Sequence, residues 1–406
     1  MRATTLLNML LNLPGLWVRG FQLEDGKMIV QIRARFRRLT CPLCARRVKG
    51  RFHRTTRRWR HLAIGGIQVI LEGEIRRLRC PDCRKVVTEE VPWARHRSSF
   101  TRPIEDLAAF LLQRLPKSTI VEMLKISWSA LGPIAERVVD EHLSSDRFKD
   151  LRRIGVDEIS FRKRHRYLTL VVDHDRRRVI WAAEGKSADT LGAFFEQLSP
   201  EQLERIEVVS MDMSAAYQKA VREALPCAEI VFDKFHVAQL AQRALDEVRR
   251  EMVRDLPESK RAAVKSSRWP LLKSPETLSD EQEQRLAEIQ RSNRPLYRAY
   301  LLKESLLDLL NAPSFEQACR EARAWLSWAS RSRLKPFVRL ARTVRRHQEG
   351  ILRIISTGLT NARLEGTNNK IRLLSHRAFG FHSAESLIAM IYLCCTGIDI
   401  EVSTLA

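Results

Sequence analysis

The sequence lacks any apolar run that could cross a lipid bilayer. Its longest apolar segment, residues 386–398, is shorter than the roughly 20 residues that a membrane-spanning helix needs, so we interpret it as a core helix. The apolar part of residues 6–16 is interrupted by Pro14, and no small-residue cleavage site follows, which argues against a signal peptide. No internal repeat or low-complexity tract is present. We therefore expect a soluble, cytoplasmic protein with no membrane partner.

Acidic residues are few relative to basic ones. The 406 residues include 71 Lys and Arg against 48 Asp and Glu, which gives a net charge of +23. Residues 1–100 contain 22 basic residues against 7 acidic ones, a net charge of +15. This excess favours polyanionic partners, with nucleic acid ahead of an anionic membrane surface. The 44% of hydrophobic residues suffices for a buried core, and the length suggests roughly two to four domains.

Cysteine is sparse outside two short motifs. The four scattered cysteines lie among apolar neighbours and are expected to be buried thiols, because disulfides are rare in long chains without a secretion signal. They are Cys227, Cys319, Cys394 and Cys395. The other four form two Cys-Pro-x-Cys motifs, at Cys41 and Cys44 and at Cys80 and Cys83. This spacing predicts a structural Zn²⁺ in a zinc ribbon, since four thiolates leave no open coordination position. Two unrelated pairs of cysteines are the alternative, and a redox role for either pair is weaker still.

Arginines cluster between the two cysteine motifs. Zinc binding would arrange them as a phosphate-binding surface, with Trp59 packed among them. The arginines of this cluster are Arg46, Arg47, Arg51, Arg54, Arg57, Arg58 and Arg60. A solvated basic surface without a ligand is the alternative.

Residues 97–148 have a helical pattern typical of a helix-turn-helix. Helices are predicted at residues 104–115 and 118–124, and Ser127 would cap a third helix that could enter the major groove of DNA. Gly132 and Pro133 lie inside this third helix and should shorten or kink it. A plain helical linker is the alternative.

A βββαβαβα pattern begins near residue 151. It suits a ribonuclease-H-like sheet whose first strand lies in the middle. The predicted strands are residues 154–160, 166–172, 178–183, 206–210 and 229–232. Residues 240–350 show no convincing strand and predict an all-helical insertion. The fold class is therefore mixed α/β and α+β, with a ribonuclease-H-like core, a helical insertion, a zinc ribbon and a helix-turn-helix-like module.

Three carboxylates lie where a soluble fold would not place them without a reason. Asp157 is inside an apolar strand, Asp212 ends another, and Glu365 lies on a polar helical segment. Buried carboxylates repel one another unless cations hold them together. Two Mg²⁺ (or Mn²⁺) ions could gather them into one catalytic site for phosphoryl transfer. Neighbouring Glu158 should point to the opposite face of its strand, and Asp173 is better explained as a turn residue.

Polar residues share the helical face of Glu365. Asn361, Asn368, Asn369 and Arg372 are three, four or seven residues away from it, and Lys370 and Arg372 could grip DNA phosphates. A solvated amphipathic helix is the alternative.

Two further features have both a functional and a structural interpretation. Asp233 and His236 could assist the metal site or DNA binding, or could simply start a helix. Trp325 and Trp328 are more typical of a core than of a base-stacking surface.

These motifs together resemble those of a known family. Beside the paired cysteine motifs, the matching segments are RWRHL at 58–62, GVDE at 155–158, SMDMSAAY at 210–217, DKFHV at 233–237, GLTNARLEGTNNKIR at 358–372 and HRAFGF at 376–381. The chain resembles the DDE transposases of bacterial insertion sequences, specifically the insertion-sequence "L three" family. The resemblance implies a ribonuclease-H-like core with a helical insertion and Mg²⁺-dependent DNA strand cleavage and transfer. It places catalysis on Asp157, Asp212 and Glu365.

We therefore expect a bacterial, nucleoid-associated transposase. It would bind double-stranded DNA, both the terminal repeats of its element and target DNA, as a homo-oligomer and without a small-molecule substrate. The expected domains are a zinc ribbon (1–96), a helix-turn-helix-like module (97–148), two parts of the catalytic core (149–239 and 351–406) and the insertion (240–350). The alternatives are a catalytically inactive zinc-dependent DNA-binding protein and a ribonuclease-H-type nuclease without strand transfer.

Overall fold

The chain divides into two compact units in the computed structural model. The structure describes residues 2–36, 39–48, 53–162, 166–255, 257–359, 362–378, 380–381 and 383–402, with the backbone alone at 162, 259–260, 262–263 and 362–365. The first unit contains Met1–Ser144 and Leu374–Ala406, and the second contains Ser145–Leu373. The domain boundaries expected from the sequence stay a prediction. None of the described helices is both long and apolar enough to span a membrane.

The first unit contains a mixed five-stranded sheet, a small hairpin and several helices. Its elements are α1 (Ala3–Leu11), β1 (Leu16–Glu24), β2 (Lys27–Ala34), β3 (Leu39–Thr40), β4 (Arg47–Val48), β5 (His53–Arg60), β6 (Gln68–Arg79), β7 (Val86–Thr88), α2 (Arg102–Leu112), α3 (Lys117–Leu124), α4 (Trp128–His142) and α17 (Ala384–Cys395). The sheet order is β1-β2-β6-β5, and β7 also pairs with β6. β2 and β6 are parallel, whereas the other pairs are antiparallel.

Trp59 anchors the core of this sheet. It is 1% exposed and meets Trp93 edge-on, with ring centroids 5.7 Å apart. The prediction that Trp59 packs among the arginines holds only for Arg57, which lines the same small cavity, because successive side chains of a strand point to opposite faces. Its neighbours Arg58 and Arg60 therefore lie on the other face of β5.

The three helices expected after residue 97 are present as α2, α3 and α4. Pro133 lies inside α4 but does not shorten it, since α4 continues to His142. Arg95, which is nine-tenths or more buried, pairs with Glu105 and Asp106 of α2 and with Glu141 of α4. These ion pairs tie the turn before α2 to both helices. α17 packs on α4, where Ser386 Oγ donates to Glu136 at 2.9 Å.

The second unit combines a five-stranded sheet with a block of helices. Its elements are β8 (Arg153–Arg162), β9 (Arg166–Asp173), β10 (Arg178–Glu184), α5 (Ala188–Phe195), α6 (Pro200–Glu204), β11 (Val208–Met211), α7 (Ala215–Ala224), β12 (Glu229–Phe232), α8 (Lys234–Asp255), α9 (Glu258–Ser266), α10 (Arg268–Leu272), α11 (Asp280–Ser292), α12 (Arg294–Leu310), α13 (Phe315–Arg331), α14 (Lys335–Arg346), α15 (Gln348–Thr357) and α16 (Ala362–Arg377), which continues into the first unit.

The sheet of the second unit has β8 at its centre. The strand order is β10-β9-β8-β11-β12. β8, β9 and β10 are antiparallel neighbours, whereas β11 is parallel to both β8 and β12. Parallel neighbours need crossover connections, which α5 and α6 supply before β11 and α7 supplies before β12. The predicted order of the five strands and the helices between them along the chain is confirmed.

The described residues between 240 and 350 are helical or in turns and contain no strand, as expected. This block packs directly on the sheet. Gly350 of α15 lies so close to β12 that an added Cβ would be 2.6 Å from the ring of Phe232. The absence of a side chain at Gly350 therefore allows the helix to approach the strand.

Candidate active site and metal centre

Asp157 of β8 faces an open pocket of about 410 Å³. Glu158, Asp233, His236 and Asn368 also line this pocket. They come from a strand, a strand end and two helices. The pocket is therefore built where the carboxyl end of the sheet meets α8 and α16.

Asp212 lies directly after β11. In the parallel pairing of β11 with β8, Val208 is opposite Arg153 and Ser210 is opposite Gly155. Continuing that register by two residues places Asp212 level with Asp157 on the neighbouring strand. Asp212 Oδ1 accepts the N–H of Ser214 at 2.9 Å, which fixes the carboxylate in the turn before α7.

Asp233 and His236 form a hydrogen-bonded pair at the start of α8. One oxygen of Asp233 accepts the N–H of Phe235 at 3.1 Å, and the other lies 2.6 Å from His236 Nδ1. This hydrogen bond raises the pKa of His236, and the charges of Asp157 and Asp212 raise it further. The two interpretations of this pair coincide, since Asp233 caps the helix and also orients the histidine beside the carboxylates.

Asn368 of α16 reaches the carboxylate of Asp157. Its Nδ2 donates to Asp157 Oδ2 at 2.6 Å, across 211 residues of sequence. Asn368 is 7% exposed, and its Oδ1 is buried without a hydrogen-bond partner among the described residues. A buried acceptor oxygen without a donor is costly, unless a ligand or cation satisfies it.

The other residues predicted on or near α16 are described by the structure to different extents. Glu365 lies in the first turns of α16. Its side chain, and the whole of Asn361, lie outside the described residues. Arg372 lines the pocket and donates to Asn369 at 3.1 Å, and Lys370 lines a neighbouring groove of about 240 Å³.

Glu158 was expected to point away from Asp157, yet both line the same pocket. The pairing of β8 with β11 ends at Gly155, so no residue of β11 pairs with β8 beside Asp157 and Glu158. Asp173, by contrast, has the turn role predicted for it. Its Oδ1 accepts the N–H groups of Asp175 and Arg176 at 2.9 and 3.1 Å.

The carboxylates of the pocket are costly to hold in the charged state. Burial raises the pKa of Asp157, although the N–H of Glu158 and the amide of Asn368 lower it in part. Burial also raises the pKa of Glu158, against the charge of Lys186, and the charges of Asp212 and Asp157 add to that increase. Such a group of anions has the electrostatic character of a cation site.

The four motif cysteines form one thiol cluster in the first unit. The sulfurs of Cys41, Cys44, Cys80 and Cys83 all lie within 4.8 Å of one another. The Cys41–Cys83 and Cys44–Cys80 sulfur pairs are 4.0 and 3.6 Å apart. Tetrahedral zinc with Zn–S bonds of about 2.3 Å requires sulfur–sulfur distances of about 3.8 Å. The cluster therefore fits a structural Zn²⁺.

The two cysteine knuckles have the same backbone design. Cys41 N donates to Arg46 O at 2.8 Å, and Cys80 N donates to Lys85 O at 2.9 Å. The residue after each second cysteine, Ala45 or Arg84, has a positive φ of 57° or 54°. Each knuckle joins two antiparallel strands, β3 to β4 and β6 to β7. The pairing of these strands sets the positions of the thiols.

The thiols of the cluster resist joint ionisation. A backbone hydrogen bond from Cys83 lowers the pKa of Cys80 to about 7. The contact with Cys44 instead raises the pKa of Cys83 to about 12. Four thiolates this close together need a cation between them.

Among the described arginines of the predicted surface, only some lack an ion pair or a side-chain hydrogen bond. Arg46, Arg54 and Arg58 pair with carboxylates on neighbouring strands or the second knuckle, at 2.5 to 2.7 Å. Arg60 donates to the carbonyl oxygens of Leu124, at 2.6 Å, and of Lys125, and thereby ties β5 to the end of α3. Burial lowers the pKa of Arg60. Arg47 is exposed and Arg57 half-buried, whereas Arg51 lies outside the described residues.

Aromatic residues divide between the core and the surface. Trp325 is 1% exposed and donates to Leu302 O at 2.8 Å, which confirms the core interpretation for this residue. Trp328 is 37% exposed, so the core interpretation was wrong there. Phe235, which the sequence analysis did not single out, lines the pocket and is 49% exposed. An apolar ring beside His236 in the first turn of α8 was the available signal. Cys227 is exposed, so the prediction of burial was wrong there.

Comparison with known proteins gives matches over nearly the whole chain. A family model for DDE transposases of the ISL3 type, described as Transposase, matches residues 154–391. A second model, described as the zinc-finger of transposase IS204/IS1001/IS1096/IS1165, matches residues 37–83. The chain is 38% identical over 401 residues to the transposase for insertion sequence element IS1557 of Mycobacterium tuberculosis, covering 92% of this chain and 90% of the relative.

A second relative is the transposase for insertion sequence element IS1001 of Bordetella parapertussis. It is 30% identical over 353 residues, which cover 86% of each chain. The chain belongs to the ISL3 family of DDE transposases. The family match contains Asp157, Asp212 and Glu365, and the zinc-finger match contains all four cluster cysteines. The resemblance and the zinc ribbon predicted from the sequence are therefore confirmed.

Proposed function

We propose that this member of the ISL3 family binds the terminal inverted repeats of an insertion sequence and carries out metal-dependent cleavage and transfer of DNA strands. One observation carries the proposal. Continuing the register of β11 with β8 brings Asp212, directly after β11, level with Asp157, and Asn368 of α16 reaches Asp157 from the far end of the chain. Glu365 lies three residues before Asn368 in the same helix, the spacing at which helix positions share a face. We assign the third carboxylate of the site to Glu365.

The sheet order supports a ribonuclease-H-like catalytic core. β8 is central, with two antiparallel strands on one side and two parallel strands on the other. A central strand places the middle of its length, and hence Asp157, beside both the next parallel strand and the helix that returns after the insertion. In our proposal, this topology gathers Asp157, Asp212 and Glu365 from three distant parts of the chain.

The residues of the pocket fit divalent cations with oxygen ligands. We assign Mg²⁺ or Mn²⁺ to the oxygens of Asp157, Asp212 and Glu365, because hard cations prefer carboxylate and amide oxygens. A buried Oδ1 of Asn368 that has no donor among the described residues, and a carboxyl group of Asp157 whose pKa is raised by burial, both fit a cation bound beside them. When bound, two such ions neutralise the charge that develops on the attacking and leaving oxygens of a phosphodiester.

The other pocket residues position these groups and the substrate. Asn368 holds one oxygen of Asp157, so the carboxylate has a single orientation. Asp233 holds His236, whose raised pKa favours a positive charge beside the bound strand. Arg372 and Lys370 lie along α16, where they can meet phosphates on either side of the scissile bond.

We assign end recognition to the first unit. It contains the zinc ribbon and the three helices α2 to α4, which we propose act as a helix-turn-helix-like module. Arg47 and Arg57 remain the arginines of the predicted surface that are available to phosphates. Two element ends must meet for transposition, so we expect a homo-oligomer on DNA.

Cleavage of element-end DNA tests the assignment of the three carboxylates. In Mg²⁺, Asp157→Ala, Asp212→Ala and Glu365→Ala should each reduce cleavage by at least about 1,000-fold while DNA binding persists, because charge neutralisation and positioning are lost together. Asp189→Ala, at an exposed carboxylate of α5, is the control and should cleave at the wild-type rate. Cleavage that survives the three substitutions would place the active site elsewhere.

Strand transfer separates the proposal from its two alternatives. Pre-cut ends with a free 3′-hydroxyl should be joined to target DNA by the wild-type chain. Strong nicking without joining would indicate a ribonuclease-H-type nuclease. Binding without either reaction would indicate an inactive DNA-binding derivative.

A further inference from the structure

The two faces of β5 carry arginines in different environments. Arg58 faces Glu72 across the strand pair, and Arg54 reaches Glu74, both in ion pairs of 2.6 to 2.7 Å. Arg57 points to the opposite face, as alternation along a strand requires. That face borders a separate open groove.

The groove has a volume of about 800 Å³ and lies beside the first cysteine knuckle. Three arginines from different segments line it: Arg57 of β5, Arg77 of β6 and Arg97 of the turn before α2. His96 is next to them, and Glu90 is the one acidic residue among the described lining residues. The groove therefore carries a net positive charge.

None of these three arginines makes an ion pair or a side-chain hydrogen bond within the described part of the chain. Their neighbours differ in this respect. Arg76, next to Arg77, is held by Glu89 at 2.6 Å, and Arg95, two residues before Arg97, pairs with three carboxylates. Uncompensated like charges repel one another unless an anion lies between them.

The turn that presents Arg97 is held firmly. Arg95, which is 5% exposed at its side chain, ties it to α2 and α4, and Ser98 donates to Glu105 at 2.6 Å. Arg97 itself has a φ of 60°, a conformation that costs energy for a residue with a side chain. A rigid support lowers the entropy lost when such a side chain binds a ligand.

We infer that this groove binds the phosphodiester backbone of double-stranded DNA without reading its sequence. Hydroxyl donors from Thr55, Thr56 and Thr88 lie among the arginines, and this combination is typical of phosphate contacts. No Asn or Gln, the side chains that pair with adenine, is among the lining residues. The inference rests on the proposed function and names the place in the first unit where the backbone is gripped.

The salt dependence of DNA binding tests the groove. The full chain carrying Asp157→Asn is used, so that cleavage does not interfere. In this background, Arg57→Gln, Arg77→Gln and Arg97→Gln are combined, and dissociation constants are measured by fluorescence anisotropy over a range of salt concentrations. Each lost phosphate contact should reduce the slope of log K against log salt by about 0.9, so the triple variant should lose about 2.7. Element-end DNA and scrambled DNA should weaken by the same factor.

Two matched variants control for charge and folding. Arg2→Gln, Arg19→Gln and Arg33→Gln remove the same charge from exposed positions outside the groove and should leave the slope within about 0.5 of wild type. Arg57→Lys, Arg77→Lys and Arg97→Lys in combination retain the charges and should retain the slope. Zinc content and thermal melting show that each variant is folded, and the single Arg97→Gln variant replaces the triple one if that unfolds.

The outcomes separate this inference from the proposed function. If the groove variant and the exposed-arginine variant change the slope equally, the inference that the groove binds DNA is overturned. The net charge of the protein would then explain the salt dependence. Weakening confined to element-end DNA would show that the groove reads bases, which contradicts sequence-independent binding. The salt-dependence experiment measures binding and not cleavage, so a failure of the catalytic proposal appears only in the cleavage assay.

Discussion

Asn368 holds the Asp157 carboxylate through one 2.6 Å hydrogen bond, and its own Oδ1 is buried without a donor among the described residues. We predict that Asn368→Ala weakens the response to Mg²⁺. Loss of a residue that orients a metal ligand typically costs about 10- to 100-fold in metal affinity or activity. The Mg²⁺ concentration for half-maximal cleavage should rise by such a factor while DNA binding stays unchanged.

Asn369 provides the control for Asn368. It is the next residue of α16, is exposed, and contacts Arg372 rather than Asp157. Asn369→Ala should therefore leave the Mg²⁺ response within about threefold of wild type. Equal effects of the two substitutions would mean that α16 contributes to the site only as a polar surface.

His61 makes the first unit sensitive to acid. Burial lowers the pKa of His61 to about 4 from an ordinary 6.5, and its Nδ1 lies 2.8 Å from the Thr101 hydroxyl. The unfolded chain therefore binds a proton between these pH values that the folded chain does not, so stability falls as pH decreases. The loss should reach about 2 kcal/mol by pH 5 and about 3 kcal/mol below pH 4.

Thermal melts of His61→Gln compared with wild type measure this contribution. The difference in melting temperature between pH 7 and pH 5 should be smaller in the variant. His53→Gln, at an exposed position of β5, should behave as wild type. Zinc loss at low pH affects all three chains alike, so it cancels in the comparison. An unchanged pH response in His61→Gln would contradict the prediction.

Single residues were predictable from the sequence where chemistry restricts the choice. The zinc cluster was predicted from the spacing of Cys41 and Cys44 and of Cys80 and Cys83 because that spacing satisfies one ion. The roles of Arg60 and Phe235 were not. Arg60 binds carbonyls 64 and 65 residues away, and Phe235 is exposed only because of how α8 meets the pocket. Such partners depend on tertiary contacts that no local pattern records.

At the scale of elements, the contact between α15 and β12 is the tightest helix-to-strand approach described above. We predict that Gly350→Ala destabilises the second unit by about 1–3 kcal/mol, because the added Cβ meets the Phe232 ring at 2.6 Å. Hydrogen exchange of β12 and α15, together with thermal melting, would measure the loss.

Gly192 is the matched helical glycine. An added Cβ there meets nothing within 4 Å, so Gly192→Ala should stabilise α5 by about 0.5–1 kcal/mol through reduced backbone entropy. If both substitutions destabilise the protein alike, close packing at Gly350 is not the cause.

The strands of the second unit were predictable because apolar runs of strand length alternate with helical patterns. β8 to β12 therefore matched the prediction closely, as did the helical block that follows. The helix α4 did not match, since Pro133 was expected to shorten it. Pro133 is the sixth residue of α4, so its missing N–H removes one hydrogen bond of the helix, and packing on α17 adds stability along the helix.

At the scale of the whole molecule, the first unit is assembled from both ends of the chain. Gln113 Nε2 donates to the carbonyl oxygens of Leu393 and Ile398 at 2.8 and 2.9 Å, and α17 covers α4. We predict that truncation after Leu373 destabilises α2 and α4, since each large apolar side chain of α17 contributes about 1.5–3 kcal/mol when buried. Hydrogen exchange in both helices should accelerate.

Truncation after Val402 is the control for this experiment, because it removes only residues 403–406 and retains α17. Zinc content should be equal in the two truncated chains, since the cysteine knuckles rest on β3 to β7. Unchanged exchange in α4 after the longer deletion would show that the first unit does not need its carboxy-terminal segment. The sequence could not predict this assembly, because hydrophobic periodicity identifies a buried helix but not its partner.

The first cysteine knuckle serves two ligands at once. Its Pro42 and Leu43 form part of the arginine-lined groove, while Cys41 and Cys44, on either side of them, hold the proposed zinc. If both ligands stabilise the same folded segment, each favours the binding of the other to the same extent, because coupling between two sites is reciprocal. DNA in the groove should therefore slow the release of zinc to a chelator, and zinc-depleted protein should lose the part of its DNA affinity that depends on salt. DNA bound in the groove, whatever its sequence, would thus protect the metal of the protein.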